Sequence, residues 1–260
     1  MSRVRRVKKL AWWQLQTFEG CALHWKLAYV DRIKIPRKPQ YLTFGGAIHE
    51  GFEHFLSDYF TLDAPDKARL DVAIENACTR FEYNYTFEGG PNRDKWLPIG
   101  RRMVEVWARY LVNRDFKPIK IELWGERNVR RDGEFLFQFR GKVDCLAMVD
   151  GMPVVIDWKT AKYPYDEEKL QERGQLAAYR LLAGKEWTSQ ALVVVTKDEP
   201  KVYWHQFEVT QADLKAFRQR VADAHAKMES LTEFKPVYDK DVCRWCQYAP
   251  EHCKGVTGLR

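Results

Sequence analysis

The chain has 260 residues, of which 45% are hydrophobic and 14% aromatic, and this supplies enough apolar side chains for the core of one enzyme-sized domain. The 43 lysines and arginines exceed the 36 aspartates and glutamates, and the net charge of +7 favours polyanionic partners, with nucleic acid first among them. No apolar run approaches the roughly 20 residues that cross a bilayer, so we expect a soluble cytoplasmic protein without a membrane partner.

The N-terminal half reads as helical. The basic start, residues 2–18, contains no acidic residue and leaves organelle targeting open. A helix that opens near Thr17 would place Cys21 at a helix start. Apolar residues spaced by three and four predict a second helix, with His49 just off its buried stripe of Phe44, Ile48, Phe52, Phe55 and Tyr59. Helices near 66–85 and 98–113 would form a helical insertion over 60–115.

The C-terminal half changes to a period of two, which predicts antiparallel strands from about residue 121 with Phe135, Phe137 and Phe139 on one face. Turns are expected at Asp132-Gly133 and Asp150-Gly151. A strand over 154–159, a helix over 167–183 and a strand over 191–196 imply a crossover and a mixed sheet. A further strand near 202–209 and a long helix complete an α/β fold with helices flanking the sheet.

Two carboxylates are placed symmetrically about the Asp150-Gly151 turn. Asp144 lies six residues before Asp150 and Asp157 lies six residues after Gly151, so the two would face each other across a hairpin. Opposed side chains lie roughly 5 Å apart, and like charges at that distance are destabilising unless a cation holds them. Strand alternation places Lys159 on the same face as Asp157. The alternative is an exposed hairpin with solvated charges.

This set of residues suits metal-dependent phosphodiester hydrolysis. A divalent ion polarises the phosphate and lowers the pKa of a bound water, and a neighbouring cation meets the charge that develops in the transition state. Asp144 and Asp157 would hold the ion, and Lys159 would orient the water or neutralise the phosphate. We therefore expect a nuclease.

Three motifs in this order resemble the PD-(D/E)XK nucleases of the RecB-like branch. They are Gly141-Lys142-Val143-Asp144, Val155-Ile156-Asp157-Trp158-Lys159-Thr160 and Gln175-Leu176-Ala177-Ala178-Tyr179. The resemblance implies a restriction-endonuclease-like core, with a mixed central sheet between helices, in a single domain over 1–260.

The resemblance also implies roles for further residues. The segment Gly45-Gly46-Ala47-Ile48-His49 resembles an upstream helix whose histidine completes the metal shell, whereas a lone histidine beside an apolar stripe is more often packed and hydrogen-bonded. Trp158 joins His49, Asp144 and Asp157 in the implied metal site. Gln175 and Tyr179, one helical turn apart, would contact the DNA backbone or support Lys159. An acidic residue on the preceding strand often joins such sites; Glu122 and Glu126 both qualify.

The cysteines favour metal ligation over disulfides. The cysteine-rich segment 236–260 contains Cys243, Cys246 and Cys253 in a C-x2-C-x6-C pattern, and Cys21 would complete a set of four. One cysteine before the core and three after it resemble the cluster-bearing CRISPR-adaptation nucleases, which implies a 4Fe-4S cluster in a C-terminal clasp. Zinc is the alternative, with His252 as a further donor. Cys78 and Cys145 read as buried hydrophobes.

The sequence thus predicts a Mg²⁺- or Mn²⁺-dependent DNA exonuclease that acts on single-stranded DNA or DNA ends. The implied settings are recombination, repair or CRISPR-adaptation-like processing, with protein partners from those systems. A structure-specific or restriction-type endonuclease is the first alternative. A non-catalytic DNA-binding subunit is the second.

Overall fold

The computed structural model describes residues 7–35, 38–60, 67–171, 174–244, 246–249 and 251–253. The helices are α1 (Trp12–Gly20), α2 (Ala22–Trp25), α3 (Gln40–Tyr59), α4 (Lys67–Phe87), α5 (Arg93–Val112), α6 (Glu167–Gln171), α7 (Gly174–Ala183), α8 (Gln211–Ser230) and α9 (Lys240–Cys243). The strands are β1 (Lys9–Ala11), β2 (Phe116–Arg131), β3 (Glu134–Val149), β4 (Met152–Ala161), β5 (Ser189–Thr196) and β6 (Val202–Glu208). Residues 1–6, which begin the basic start, lie outside the described residues.

The first helix begins earlier than the sequence predicted. It starts at Trp12 rather than near Thr17, whose hydroxyl donates to the Trp13 carbonyl at 2.7 Å as a residue inside the helix does. The helix ends at Gly20 because Cys21 is extended, with φ −160° and ψ 111°. Cys21 then caps α2, which continues into a π-helical turn at Lys26–Val30. The prediction that Cys21 stands at a helix start is therefore confirmed.

Helix α3 confirms the predicted buried stripe, whose five aromatic and aliphatic side chains are 5% exposed or less. Phe52 stacks on Trp107 of α5 with ring centroids 3.9 Å apart. Helices α4 and α5 lie where the sequence predicted helices near 66–85 and 98–113, while the insertion over 60–115, of which residues 61–66 lie outside the described residues, stays a prediction. Helix α5 begins at Arg93, before the predicted start near 98, and contains Pro98 within the helix. Pro98 is the sixth residue of α5, so its missing N–H removes the regular hydrogen bond to the Asp94 carbonyl from the second turn.

The sheet is mixed, as predicted. Strands β3 and β4 form an antiparallel hairpin, β4 and β5 are parallel, and β5 and β6 are antiparallel, while β2 also pairs with β3. The Asp132-Gly133 and Asp150-Gly151 turns both have positive φ at their two central residues, 51° and 84° and then 51° and 77°. These are the angles of two-residue type I′ turns. Phe137 and Phe139 are fully buried, but Phe135 beside the first turn is 43% exposed.

The chain divides into two compact units. The core unit comprises Pro39–Gly125 and Lys142–Gln211, and the terminal unit comprises the described residues of Met1–Lys38, Glu126–Gly141 and Ala212–Arg260. The largest hydrophobic cluster belongs entirely to the core unit and joins α3, α4 and α5 to one face of β3, β4 and β5. In the terminal unit, β1 pairs in parallel with Gln138–Arg140. The assignment of 1–260 to one domain stays a prediction.

Among the described helices, none combines the length and the apolar character that a bilayer crossing requires.

Candidate active site

The β3–β4 hairpin has the register that the sequence predicted. Its pairs run from Val149 and Met152 to Cys145 and Ile156, and Asp144 and Asp157 lie one residue beyond the last pair. Both carboxylates are buried, with 7% and 1% of each residue exposed. The Trp158 backbone N–H donates to Asp144 Oδ2 at 2.9 Å. Two acidic side chains are therefore held close together below the surface of the core unit.

Asp157 is surrounded by donors from two elements. The Lys159 ammonium lies 2.8 Å from Asp157 Oδ1 and 2.6 Å from Oδ2. From α7, the Tyr179 hydroxyl donates to Oδ1 at 2.9 Å and Gln175 Nε2 donates to it at 3.2 Å. Gln175 Nε2 also donates to the Tyr179 oxygen at 2.8 Å. The structure thus brings together four of the predicted catalytic residues, and Oδ2 is left without a hydrogen bond of regular geometry.

The electrostatics follow from burial and from the carboxylate pair. Burial raises the pKa of Asp157, Lys159 opposes this, and the charge of Asp144 adds to it. Burial lowers the pKa of Lys159, but Asp157 and then Asp144 outweigh it, so the net shift is upward. Burial, followed by the two carboxylates, raises the pKa of Tyr179 well above its usual value. Lys159 is therefore a stable cation, and Tyr179 is a neutral hydrogen-bond donor.

Helix α3 adds a histidine and a carboxylate to this site. His49 Nδ1 lies 3.7 Å from Asp144 Oδ2, which is too far for a hydrogen bond. One turn later, the pKa of Glu53 is raised by burial, against the lowering effect of Lys142. The Lys142 ammonium is 3.7 Å from Glu53 Oε1 and also pairs with Glu122. A series of neighbouring polar side chains, His49, Glu53 and Lys142, therefore links Asp144 to Glu122.

The structure distinguishes the two acidic candidates on β2. Glu122 belongs to the core unit, its carboxylate oxygens are buried, and its backbone has a positive φ of 55°. Glu126 belongs to the terminal unit, where it forms a 3.0 Å ion pair with Lys9 between half-exposed side chains. Of the two, Glu122 lies in the same unit as Asp144 and Asp157, and its part in the site stays a prediction.

Glu53 and Lys142 were missed by the sequence reasoning, although each had a signal. Glu53 lies four residues after His49, and residues at that spacing share a helix face. Lys142 lies two residues before Asp144, and alternate residues share a strand face. Both therefore follow from the periodicity of the elements that carry the predicted residues.

Trp158 anchors the site through its side chain. The indole is 2% exposed and packs edge-on against Phe52 and Trp107, with ring centroids 6.0 and 5.1 Å apart. The side chain is therefore part of the hydrophobic core of the core unit. Its backbone N–H, by contrast, is bonded to Asp144.

Comparison of the sequence with models of protein families gives the same family as the order of the motifs. Residues 9–251 match the model of the PD-(D/E)XK nuclease superfamily. The chain belongs to the PD-(D/E)XK nuclease superfamily. This PD-(D/E)XK protein is also similar to a crystal structure of SSO0001, at 15% identity and a TM-score of 0.40 over 91% of this chain and 92% of the other. A comparison with curated proteins gave no match.

Membership indicates a metal-dependent nuclease, a class of enzyme that uses divalent ions and binds DNA. Carboxylate oxygens and an imidazole, which Asp144, Asp157 and His49 supply, are donors that suit Mg²⁺ or Mn²⁺. Within the ranges that the structure describes, no three His, Cys, Asp or Glu side chains are already arranged to hold an ion. The donor atoms of this PD-(D/E)XK site are therefore of the types that bind a divalent ion. The Lys159 ammonium lies beside Asp157 and balances part of the negative charge of the carboxylates.

The four predicted cluster cysteines of the PD-(D/E)XK protein lie near one another in the terminal unit. Cys243 and Cys253 share a hydrophobic cluster. The pKa of Cys253 is raised by burial and then by Cys246, Cys21 and Cys243, so all four sulfurs lie within electrostatic range. No disulfide joins the described cysteines. Among described residues the thiols do not form a closed metal site, so the cluster stays a prediction.

Contacts around these cysteines hold the terminal segments together. The Tyr248 hydroxyl donates to the Ile33 carbonyl at 3.0 Å, and Tyr248 packs edge-on against His24. Trp25 stacks on Phe234 with centroids 6.3 Å apart.

Cys78 and Cys145 are buried in the core unit, as predicted, and burial raises the pKa of Cys78 to about 11. The ring of His252, the alternative zinc donor, packs edge-on against the ring of Tyr248, with the two centroids 5.9 Å apart.

Proposed function

We propose that the protein is a Mg²⁺- or Mn²⁺-dependent DNA exonuclease that hydrolyses phosphodiester bonds of single-stranded DNA or of DNA ends. One observation carries the proposal: two buried carboxylates, Asp144 and Asp157, lie beside each other with the Lys159 ammonium against the second. Recombination, repair and CRISPR-adaptation-like processing are the proposed settings, and partner proteins from those systems are the proposed associates.

In this proposal Asp144, Asp157, His49 and the backbone carbonyl of Trp158 hold the divalent ion. The bound ion would polarise the phosphate and supply a more acidic water. Lys159 keeps its positive charge next to the phosphate and stabilises the negative charge that develops there. Gln175 and Tyr179 hold Asp157 Oδ1 by two hydrogen bonds and so orient the carboxylate that would bind the ion.

Glu122 and Glu53 extend this proposed site. Both carboxylates approach the Lys142 ammonium. Their charge would raise the affinity of the site for a cation, above all that of Glu122, whose buried carboxylate oxygens make no hydrogen bond of regular geometry.

A structure-specific or restriction-type endonuclease is the first alternative, since it would use the same side chains. The resemblance to the RecB-like branch supports the exonuclease. A non-catalytic DNA-binding subunit is the second alternative, and the intact set of Asp144, Asp157 and Lys159 argues against it, because such subunits have no need of a buried carboxylate pair.

We propose a 4Fe-4S cluster bound by Cys21, Cys243, Cys246 and Cys253, with structural zinc as the alternative. The nearness of the four sulfurs in the terminal unit supports a tetrathiolate site. Thiolate ligands suit both metals. Either metal would fasten the two ends of the chain.

The decisive experiment offers Mn²⁺ and four labelled DNAs to anaerobically purified protein: linear and circular forms, each single-stranded and duplex. Cleavage restricted to DNA with ends supports the exonuclease, and nicked circles support the endonuclease. Binding without cleavage in every case supports the non-catalytic subunit. The Asp157→Asn variant is the control, because activity that survives in it comes from a contaminant or from another site.

A further inference from the structure

Lysines lie over aromatic rings at the carboxyl ends of the parallel strands β4 and β5. Lys162 Nζ is 5.0 Å from the centroid of the Tyr163 ring, and Lys169 Nζ is 4.1 Å from that of Tyr165. Lys197 Nζ is 5.1 Å from the ring of Phe44 and 5.8 Å from that of Trp96. We call Lys162, Tyr163, Tyr165, Lys169 and Lys197 the lysine–tyrosine strip.

The lysine–tyrosine strip continues directly from the candidate active site. Strand β4 carries Asp157 and Lys159 and leads within three residues to Lys162. The backbone N–H of Lys197 donates to the Ala161 carbonyl at 2.9 Å, so the two strand ends are joined. After burial, Asp157 and Asp144, Tyr165 also acts on the pKa of Lys159, which places the Tyr165 hydroxyl within electrostatic range of the catalytic lysine.

The strip is open to solvent at the positions that follow β4. Tyr163 is 63% exposed, and the side chain of Lys162 is 62% exposed. Asp198 is the acidic neighbour of Lys162, at 3.9 Å and 57% exposed. A pair so long and so exposed contributes little in water, so a phosphate would replace it readily. Lys197 differs, because burial lowers its pKa and its ammonium is packed between rings.

Local stabilisation of the loop is the simpler account of these contacts. It accounts for Lys197, which is half-buried beside Phe44. Tyr163 is about as exposed as Tyr83 on α4, but Tyr163 lies six residues after Asp157, on the loop that follows β4. Exposed rings beside ammonium groups are typical of single-strand binding surfaces, where rings stack on bases and ammonium groups meet phosphates. Along the chain, Asp166, Glu167 and Glu168 separate Tyr165 from Lys169. A duplex hides its base faces within the stack and offers such a surface only its backbone.

We infer that the lysine–tyrosine strip binds a single DNA strand next to the catalytic carboxylates, with Tyr163 stacked on an unpaired base and Lys162 and Lys169 at flanking phosphates. This inference rests on the proposed DNA nuclease function and specifies its substrate as an unpaired strand or a frayed end. The strand then passes Tyr165 to reach Lys159.

The test measures equilibrium binding in Ca²⁺, without turnover, to fluorescent oligo(dT) and to a blunt duplex of equal length. Tyr163→Ala should weaken oligo(dT) binding about five- to a hundredfold, the range that loss of one stacked base gives, and change duplex binding less than twofold. Tyr83→Ala is the matched control, since Tyr83 is an equally exposed tyrosine of the core unit on α4, stacked on Phe87.

A second readout tests the lysines. For single strands the slope of log affinity against log salt falls by about 0.7 for each phosphate contact removed, so Lys162→Met combined with Lys169→Met should lower it by about 1.4. An unchanged slope would overturn the assignment of these lysines. Surface positions such as these seldom affect folding, and circular dichroism checks this for each variant.

Equal oligo(dT) affinity in Tyr163→Ala and the unmodified protein would overturn the inference, as would an equal loss on the duplex. The binding readout is independent of hydrolysis. If the unmodified protein cleaves DNA but Tyr163→Ala binds normally, only the strip is wrong. If it binds oligo(dT) through Tyr163 and never cleaves, the proposed nuclease activity is wrong and the strip stands.

Discussion

The backbone N–H of Trp158 bonds to Asp144 Oδ2 at 2.9 Å. A single residue between Asp157 and Lys159 thus fixes the carboxylate of the opposite strand. The same residue inserts its indole against Phe52 and Trp107, so the packing of α3 and α5 is transmitted to the position of Asp144. The site is consequently positioned by the hydrophobic core, not by the hairpin alone.

Lys159→Met should lower the cleavage rate about a hundred- to a thousandfold, as the loss of one preorganised stabilising group does elsewhere. DNA affinity should change only a fewfold, because other basic residues attract the phosphates. Single-turnover cleavage and binding in Ca²⁺ measure the two quantities. Lys201→Met is the matched control, an exposed lysine paired with Glu199. Full activity in Lys159→Met would remove this lysine from the mechanism.

Mn²⁺ should raise the melting temperature, because an ion that binds only the folded state relieves the repulsion between Asp144 and Asp157. At a concentration of 100 times Kd, the gain is about 2.7 kcal/mol, which corresponds to a rise of several degrees. Differential scanning fluorimetry with and without Mn²⁺ measures it. The double variant Asp144→Asn with Asp157→Asn should lose the effect, and an equal rise in that variant would place the bound ion elsewhere.

Cys246→Ala should remove the proposed iron or zinc and destabilise the terminal unit, since a metal ligand contributes directly to folding. Metal analysis, the visible absorption spectrum and thermal unfolding report the change. Cys78→Ala is the control: its thiol is buried in the core unit, so it should lower stability modestly as a small cavity does, yet keep the metal. If Cys246→Ala kept the colour and the metal content of the unmodified protein, the proposed cysteine site would be contradicted.

Glu122→Gln and Glu126→Gln separate the two acidic residues of β2. The first should weaken Mn²⁺ activation of cleavage about tenfold or more, because it removes a buried charge from the site. The second should leave activity unchanged, since Glu126 pairs with Lys9 at the surface of the terminal unit. Mn²⁺ titrations of the cleavage rate measure the effect. The reverse order of effects would exchange the two roles.

Two helical glycines should respond in opposite directions to alanine. A Cβ at Gly100 would lie 2.0 Å from Cζ of the fully buried Phe81, so Gly100→Ala should cost about 1–3 kcal/mol through overpacking. A Cβ at Gly46 meets nothing within 4 Å, and Gly46→Ala should stabilise α3 by about 0.5–1 kcal/mol. Urea unfolding measures both. Similar destabilisation at the two positions would contradict the packing described for α5.

The sequence predicts much of the fold because local signals are strong. Periodicity predicts α3, and the two Asp-Gly turns fix the register that brings Asp144 to Asp157. The predicted start of α1 was wrong because the sequence has no capping residue at Ala11. In the structure the Ala11 N–H donates to Oε1 of Gln14 at 2.9 Å. The division of the chain into two units was also not visible, since β2 and β3 pass through both without a break in pattern.

The residues of the candidate site were likewise predicted only in part from the sequence. Motif spacing predicts Asp157, Lys159, Gln175 and Tyr179, which the structure joins by hydrogen bonds. The choice of Glu122 over Glu126 depends on contacts with Lys142 and Lys9, residues distant along the chain from their partners. Pairings of that kind arise from tertiary packing, and no local pattern in β2 encodes them.

Glu122 keeps a left-handed backbone, φ 55°, which costs a residue with a side chain roughly 1 kcal/mol or more relative to glycine. Glycine at this position would relieve the strain and delete the carboxylate in the same step. A variant library sorted for heat resistance alone would therefore enrich glycine at 122, and the same library sorted for DNA cutting would deplete it. Position 122 is where selection for a robust protein and selection for an active one should diverge.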